Sequence, residues 1–106
     1  MILNEFLEEI IDTKFDDLKL ILIIHFKMGF TLYIQYNDFN EYSYHIQFTQ
    51  KPNDFIRYDN YDDRWNVKTK PHHIHQRWKK EAATSPMQGK PKMDIPILIK
   101  IIKDIL

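Results

Sequence analysis

Ile2, Leu3, Phe6, Leu7, Ile10 and Ile11 recur at three- and four-residue intervals, with Asn4, Glu5, Glu8, Glu9 and Asp12 between them. This period places one apolar stripe along a helix and predicts an amphipathic helix ending near Thr13, its early acids complementing the helix dipole. Leu18 to Phe26 is a short run rich in Ile and Leu, and reads as a buried strand. Met28-Gly29 makes a turn, and period two takes over: Phe30, Leu32, Ile34 and Tyr36 alternate with Thr31, Tyr33 and Gln35. After the turn composition of Asn37-Asp38-Phe39-Asn40, Tyr42, Tyr44, Ile46 and Phe48 alternate with Ser43, His45 and Gln47. A further turn at Lys51-Pro52-Asn53-Asp54 leads to a fourth short strand, Phe55 to Asp59. Short connections between successive strands favour an antiparallel meander.

The stretch 60–91 reads differently. It holds Pro71, Pro86 and Pro91, Gly89 and little periodic hydrophobicity, and predicts a long loop interrupted at most by a short strand around Ile74 to Trp78. Asp94-Ile95-Pro96 then supplies a cap and an early proline for a helix with Ile97, Leu98, Ile101, Ile102 and Ile105 on its apolar side. The expected fold is α+β: one domain over residues 1–106, a four- to five-stranded antiparallel meander sheet with N-terminal and C-terminal helices packed on one face.

Composition narrows the chemistry. With 43% hydrophobic residues in 106, the chain can build one core, and the absence of cysteine excludes a disulfide scaffold, a thiolate zinc site and a thiol nucleophile. No apolar run is long enough for a transmembrane helix and the acidic start shows no secretory signal, so a cytoplasmic protein is expected. Two glycines cannot build a phosphate-cradling Gly-rich loop, and no nucleophile elbow is present. The net charge is zero but unevenly spread: residues 1–50 carry a charge of −5 and residues 51–106 a charge of +5. Between Arg64 and Lys92, Arg64, Lys68, Lys70, Arg77, Lys79, Lys80, Lys90 and Lys92 face Glu81 alone, with Trp65 and Trp78 among them. Cations neutralise phosphates while rings stack on unpaired bases, so this mixture suits RNA; a solvated loop has the same composition.

His72, His73 and His75 follow Pro71, just beyond Arg57 and Asp59. Imidazole titrates near neutrality, which makes such a cluster a candidate for proton transfer. On this reading His73 and His75, with His72 as a substitute, divide the roles of base and acid in RNA cleavage by 2′-hydroxyl attack. Arg57 would stabilise negative charge and Asp59 orient an imidazole. Metal binding is the competing reading: His73 and His75 converge in an extended segment while His72 diverges, and Asp59, Asp63 or His45 would complete the site. The third reading is structural, with the histidines capping loops and Arg57 and Asp59 forming a surface ion pair worth under about 1 kcal/mol. The sequence favours the metal-free reading and no cofactor. His45, with Ser43 and Gln47, should share a polar sheet face with Thr31, Gln35 and Arg57. Substrate contacts are expected from His45, Arg64, Lys68, Lys70, Arg77, Trp78, Lys79 and Lys80. His25, in the apolar strand, reads as a satisfied structural histidine.

Three blocks, Tyr42-Ser-Tyr-His-Ile-Gln47, Arg57-Tyr-Asp-Asn60 and Pro71-His-His-Ile-His75, stand in an order and at distances that resemble the TumE family, small toxins of prokaryotic toxin–antitoxin pairs. The resemblance covers nearly the whole chain and is strongest over residues 41–76. One departure is visible: Tyr61-Asp62-Asp63-Arg64 stands where the family often has a further histidine pair, so a role for such a pair does not transfer here. The resemblance implies a growth-inhibiting protein neutralised by a cognate antitoxin. Joined to the basic, histidine-bearing segment, it gives the leading expectation of a metal-independent ribonuclease toxin. The alternative is a non-catalytic module that binds RNA or a ribonucleoprotein and inhibits by occupancy. A homodimer is compatible with either.

Overall fold

The computed structural model of the chain describes residues 2–61 and 64–106. A single helical turn α1 (Ile2–Glu5) precedes strands β1 (Ile10–Asp16), β2 (Ile21–Phe26), β3 (Thr31–Tyr36), β4 (Tyr42–Gln47), β5 (Phe55–Asp59), β6 (His73–His75) and β7 (Ala82–Thr84), and helix α2 (Pro91–Ile105) closes the chain. The described strands form one seven-stranded antiparallel sheet in sequence order. The α+β meander expected from the sequence is therefore present, with more strands and less N-terminal helix.

Both differences have a physical origin. The helix predicted to run to Thr13 stops at Glu5, and Ile10 to Asp16 pairs instead with β2, from Ile10↔Phe26 to Asp16↔Ile21. Pairing gives the edge of β2 backbone partners that a helix would leave unmade. A register shift between Ile10 and Asp12 accommodates Ile11 as an extra residue, turning Ile10 to the core and leaving Ile11 exposed. The β1–β2 turn is held by Asp16, whose Oδ1 accepts from the amides of Leu18 and Lys19, so β2 begins at Ile21 and not at Leu18. Downstream, β6 and β7 are three residues each, too short to declare a period of two, and they continue the sheet beyond β5.

Alternation divides the sheet into two faces. On one, Leu22, Ile24, Phe26, Leu32, Ile34, Tyr44, Ile46 and Tyr58 join Phe6 and, from α2, Leu98 and Ile102 in a single core. Phe26 stacks on Phe30 at 4.4 Å and meets Phe6 edge-on at 5.9 Å. α1 touches α2, with Glu5 Oε2 3.5 Å from Lys103 Nζ. The predicted cap Asp94 lies inside α2, which starts at Pro91 after Lys90. Its buried carboxylate accepts from Tyr44 Oη at 2.8 Å and from the amides of Gln88 and Gly89 at 2.9 and 2.7 Å, bolting the helix to the sheet. Gly89 permits this closure: its φ is +80° and a Cβ there would stand 2.9 Å from the Tyr42 ring.

Candidate functional site

The second face carries polar and titratable side chains. Register aligns Ile23, Tyr33, His45, Arg57, His75 and Ala82 in one row across the sheet, and Ile21, Gln35, Ser43, Asp59, His73 and Thr84 in the next. The polar face expected from Thr31, Gln35, Ser43, His45, Gln47 and Arg57 is thus assembled, and it extends through β6 to include His73 and His75.

At its β5–β6 end, Asp59, His73 and His75 converge. His73 Nε2 lies 2.9 Å from Asp59 Oδ1 and 3.0 Å from His75 Nε2, and His75 Nε2 is 4.0 Å from Asp59 Oδ2. Asp59 is held from two further sides: Arg57 Nε donates to Oδ2 at 2.8 Å and the Tyr61 amide donates to Oδ1 at 3.1 Å. On the far side of its ring, His73 Nδ1 donates to the Pro71 carbonyl at 2.9 Å. Asp59 and His73 are 2% and 1% exposed, whereas the His75 side chain is 15% exposed and opens the cluster to solvent. Trp65 walls this pocket, its ring 5.3 Å from His75 and 6.0 Å from His73, with the Arg64 guanidinium 4.9 Å above it. The pocket holds about 190 Å³.

Arg57 and Tyr61 also line a larger open groove of about 490 Å³ that continues over Tyr33, Gln35, Ser43, His45 and Gln47. In it His45 stacks on Phe55 at 4.7 Å, meets Tyr33 edge-on at 5.7 Å and bonds Gln47 Oε1 through Nε2 at 2.8 Å. The Arg57 guanidinium lies 5.2 Å from the Phe55 ring. Burial, followed by the adjacent Arg57 charge, pushes the His75 imidazole below its ordinary pKa of 6.5. His45 is lowered as well, by burial first and then by Arg57, against the raising effect of its bond to Gln47. Both rings are thereby biased to the neutral, proton-accepting form.

The other predicted site residues divide. His72 points to the opposite face, where its Nδ1 lies 3.0 Å from Tyr42 Oη and its ring stacks on Tyr42, so it stands apart from His73 and His75. Arg77 is committed elsewhere: Nε bonds the buried Asp54 at 2.6 Å and the guanidinium lies 4.1 Å from the Phe48 ring. Trp78, Lys79 and Lys80 are exposed and line, with Phe55, a separate pocket of about 300 Å³. Lys68 and Lys70 are exposed on the connection into β6. His25 bonds Thr31 Oγ1 through Nδ1 at 3.0 Å, the structural role expected of it. Asp63, offered as a third ligand, lies outside the described residues.

Phe55, Tyr33 and Trp65 were not legible as site walls. Phe55 and Tyr33 could have been found by registering β3, β4 and β5 side by side. Trp65 approaches the cluster only through the turn that brings β6 against β5, and has no local signal.

Neither a curated protein nor a solved structure matches the chain. The profile of the family described as Toxin TumE matches residues 3–106. All three blocks that resembled this family lie in that span, two of them meeting at the Asp59–His73–His75 cluster. The chain belongs to the TumE toxin family, which gives it the role of a toxin in a toxin–antitoxin system and an antitoxin as its partner.

Proposed function

We propose that this toxin cleaves RNA at the Asp59–His73–His75 cluster, with the adjoining groove holding an unpaired stretch of the strand. The single observation that carries the reading is the convergence of a buried carboxylate, two imidazoles and a guanidinium at the end of a groove lined by rings and amides. Unpaired bases are recognised by aromatic stacking and by hydrogen bonds to their edges, for which Tyr33, His45, Gln35 and Gln47 are suited. Arg57 lines both cavities and supplies positive charge where a scissile phosphate would sit.

His75 is the member a substrate can reach. In the metal-free form its neutral ring accepts the proton of a ribose 2′-hydroxyl, and the 2′-oxygen attacks phosphorus. The P–O5′ bond then breaks and the 5′-oxygen takes a proton from water, leaving a 2′,3′-cyclic phosphate and a 5′-hydroxyl. His73 does not serve as an independent acid on the opposite side. In-line displacement separates base from acid by roughly 6 Å or more, two hydrogen bonds of about 2.8 Å plus the span between attacking and leaving oxygens. The two Nε2 atoms are 3.0 Å apart, so Asp59, His73 and His75 act as one unit.

A second reading has its own observation. Trp78, Lys79 and Lys80 are exposed together on the tip next to Phe55, an arrangement that can bind RNA without cutting it. Labelled RNA incubated with purified protein separates the two. Cleavage with turnover, lost in His75→Ala and kept in Lys79→Glu/Lys80→Glu at saturating protein, supports the enzyme. Bound but intact RNA, released only by the charge reversal, supports the occupancy module.

A further inference from the structure

We infer that Asp59, His73 and His75 form a binding site for one divalent first-row transition-metal ion of the zinc or manganese class. The inference concerns the same cluster as the proposed function but does not require RNA to be the substrate.

Geometry comes first. One ligand atom from each of the three residues lies within 4.8 Å of the other two, and His73 Nε2 is 2.9 Å from Asp59 Oδ1 and 3.0 Å from His75 Nε2. Ligands about 2.0–2.1 Å from a tetrahedral ion stand about 3.3 Å from one another, so these separations bracket what one ion in their midst requires. Among the described residues this is the one group of three such side chains close enough to share an ion.

Proton counting gives the second argument. The Pro71 carbonyl can only accept, so His73 Nδ1 carries a proton, and in the neutral ring Nε2 presents a lone pair. That lone pair faces a carboxylate oxygen at 2.9 Å and the Nε2 of a second imidazole at 3.0 Å. A carboxylate oxygen and two ring nitrogens that meet in a buried site are held best by a positive charge between them. A single extra proton on His73 Nε2 would have to serve two acceptors at once, whereas one metal ion satisfies all three atoms together.

The surroundings agree. An imidazole that ligates through Nε2 commonly donates Nδ1–H to a carbonyl, and a ligating carboxylate is commonly bonded from outside; here Pro71 does the first and Arg57 with Tyr61 the second. Arg57 occupies Oδ2 and leaves Oδ1 directed at His73, which suits a monodentate carboxylate. Two nitrogens and one oxygen favour a borderline transition metal over Mg²⁺ or Ca²⁺, which prefer all-oxygen shells. Three protein ligands beside a 190 Å³ pocket leave positions open for water or a phosphate oxygen, the arrangement of catalytic sites. The ion and Arg57, offset by one carboxylate, would make the site strongly attractive to a phosphodiester, and the ion would supply an activated water in place of the His75 base.

The test uses untagged protein. Elemental analysis after dialysis should find about one equivalent of zinc or manganese. Calorimetric titration of chelator-stripped protein with Zn²⁺ should show one saturable site. Affinity should fall at least 100-fold in His75→Ala and stay unchanged in His72→Ala, both checked for fold by circular dichroism. If His75→Ala does not fold, Co²⁺ substitution of the unaltered protein decides: visible d–d bands of a low-coordinate nitrogen–oxygen site support the inference. Absence of saturable binding, featureless Co²⁺ spectra, or equal binding by folded His75→Ala would overturn it. Metal bound without RNA cleavage removes the RNA reading and keeps this site. RNA cleaved by protein that shows no saturable metal binding removes this site and keeps the RNA reading.

Discussion

Two aspartates of this protein are almost equally buried, Asp94 at 0% and Asp59 at 2%, but their surroundings differ in kind. On the closed face, Asp94 accepts from one hydroxyl and two main-chain amides, none of which carries a charge or a mobile proton near neutrality. It lies inside the core contact between α2 and the sheet. On the open face, Asp59 is met by a guanidinium, a main-chain amide and an imidazole, and it lines a pocket. Burial alone does not make a carboxylate functional. What matters is whether its partners can exchange protons or ions and whether space lies beside it.

The same substitution at both positions should break the comparison if it is wrong. In Asp94→Asn an amide nitrogen must face either the Gln88 or the Gly89 N–H, leaving a buried donor without an acceptor. A loss of about 3 kcal/mol is expected, lowering Tm by at least about 12 °C in thermal unfolding. In Asp59→Asn the remaining oxygen can still serve the Tyr61 amide, and Arg57, about a third exposed, can turn to water. The expected loss is about 1–2 kcal/mol, while toxicity disappears. Equal stability losses with retained toxicity would contradict the assignment.

Gly89→Ala probes the closed face alone. With φ at +80° and the Tyr42 ring in the way, it should cost about 1–3 kcal/mol without changing activity per folded molecule. Denaturant unfolding alongside a growth-arrest assay checks both halves.

The smallest effects concern pH. The native fold lowers the His45 pKa below 6.5, through burial and then Arg57, so the unfolded chain takes up this proton first. Stability from this site is present above pH 6.5 and declines as pH falls from there toward the lowered native value. His45→Phe should flatten that part of the stability profile. At the other end of β5, the Thr49 hydroxyl and then Arg77 hold the Asp54 carboxyl below its ordinary 3.8, against the effect of burial. Its contribution persists above pH 3.8 and is lost only as pH falls through the lowered native value. Arg77→Gln should raise the midpoint of acid unfolding. Urea titrations from pH 8 to pH 3 separate the two limbs.

The meander from β2 to β5 was legible because period two is a direct image of strand geometry and each turn announces itself by composition. The polar face followed from the same alternation, and the separation of His72 from His73 and His75 from extended-chain geometry. The first strand was hidden by Ile10 and Ile11, which fit a helical stripe as well as a strand; the decisive cue was the turn built on Asp16. Arg77 read as a phosphate ligand because its partner Asp54 lies 23 residues away and no local pattern links them. Asp94 read as a cap because its three donors come from β4 and the loop before α2.

On the proposed function, the open sheet face around Asp59, His73 and His75 carries the toxic activity through cleavage of RNA. The most direct measurement compares the unaltered protein with His75→Asn on labelled RNA, in parallel with growth on induction without antitoxin. The unaltered protein should show multiple-turnover cleavage and growth arrest. His75→Asn should show a drop of 100-fold or more in cleavage and normal growth, with Tm within a few degrees. A folded His75→Asn that still cleaves and still arrests growth would contradict it.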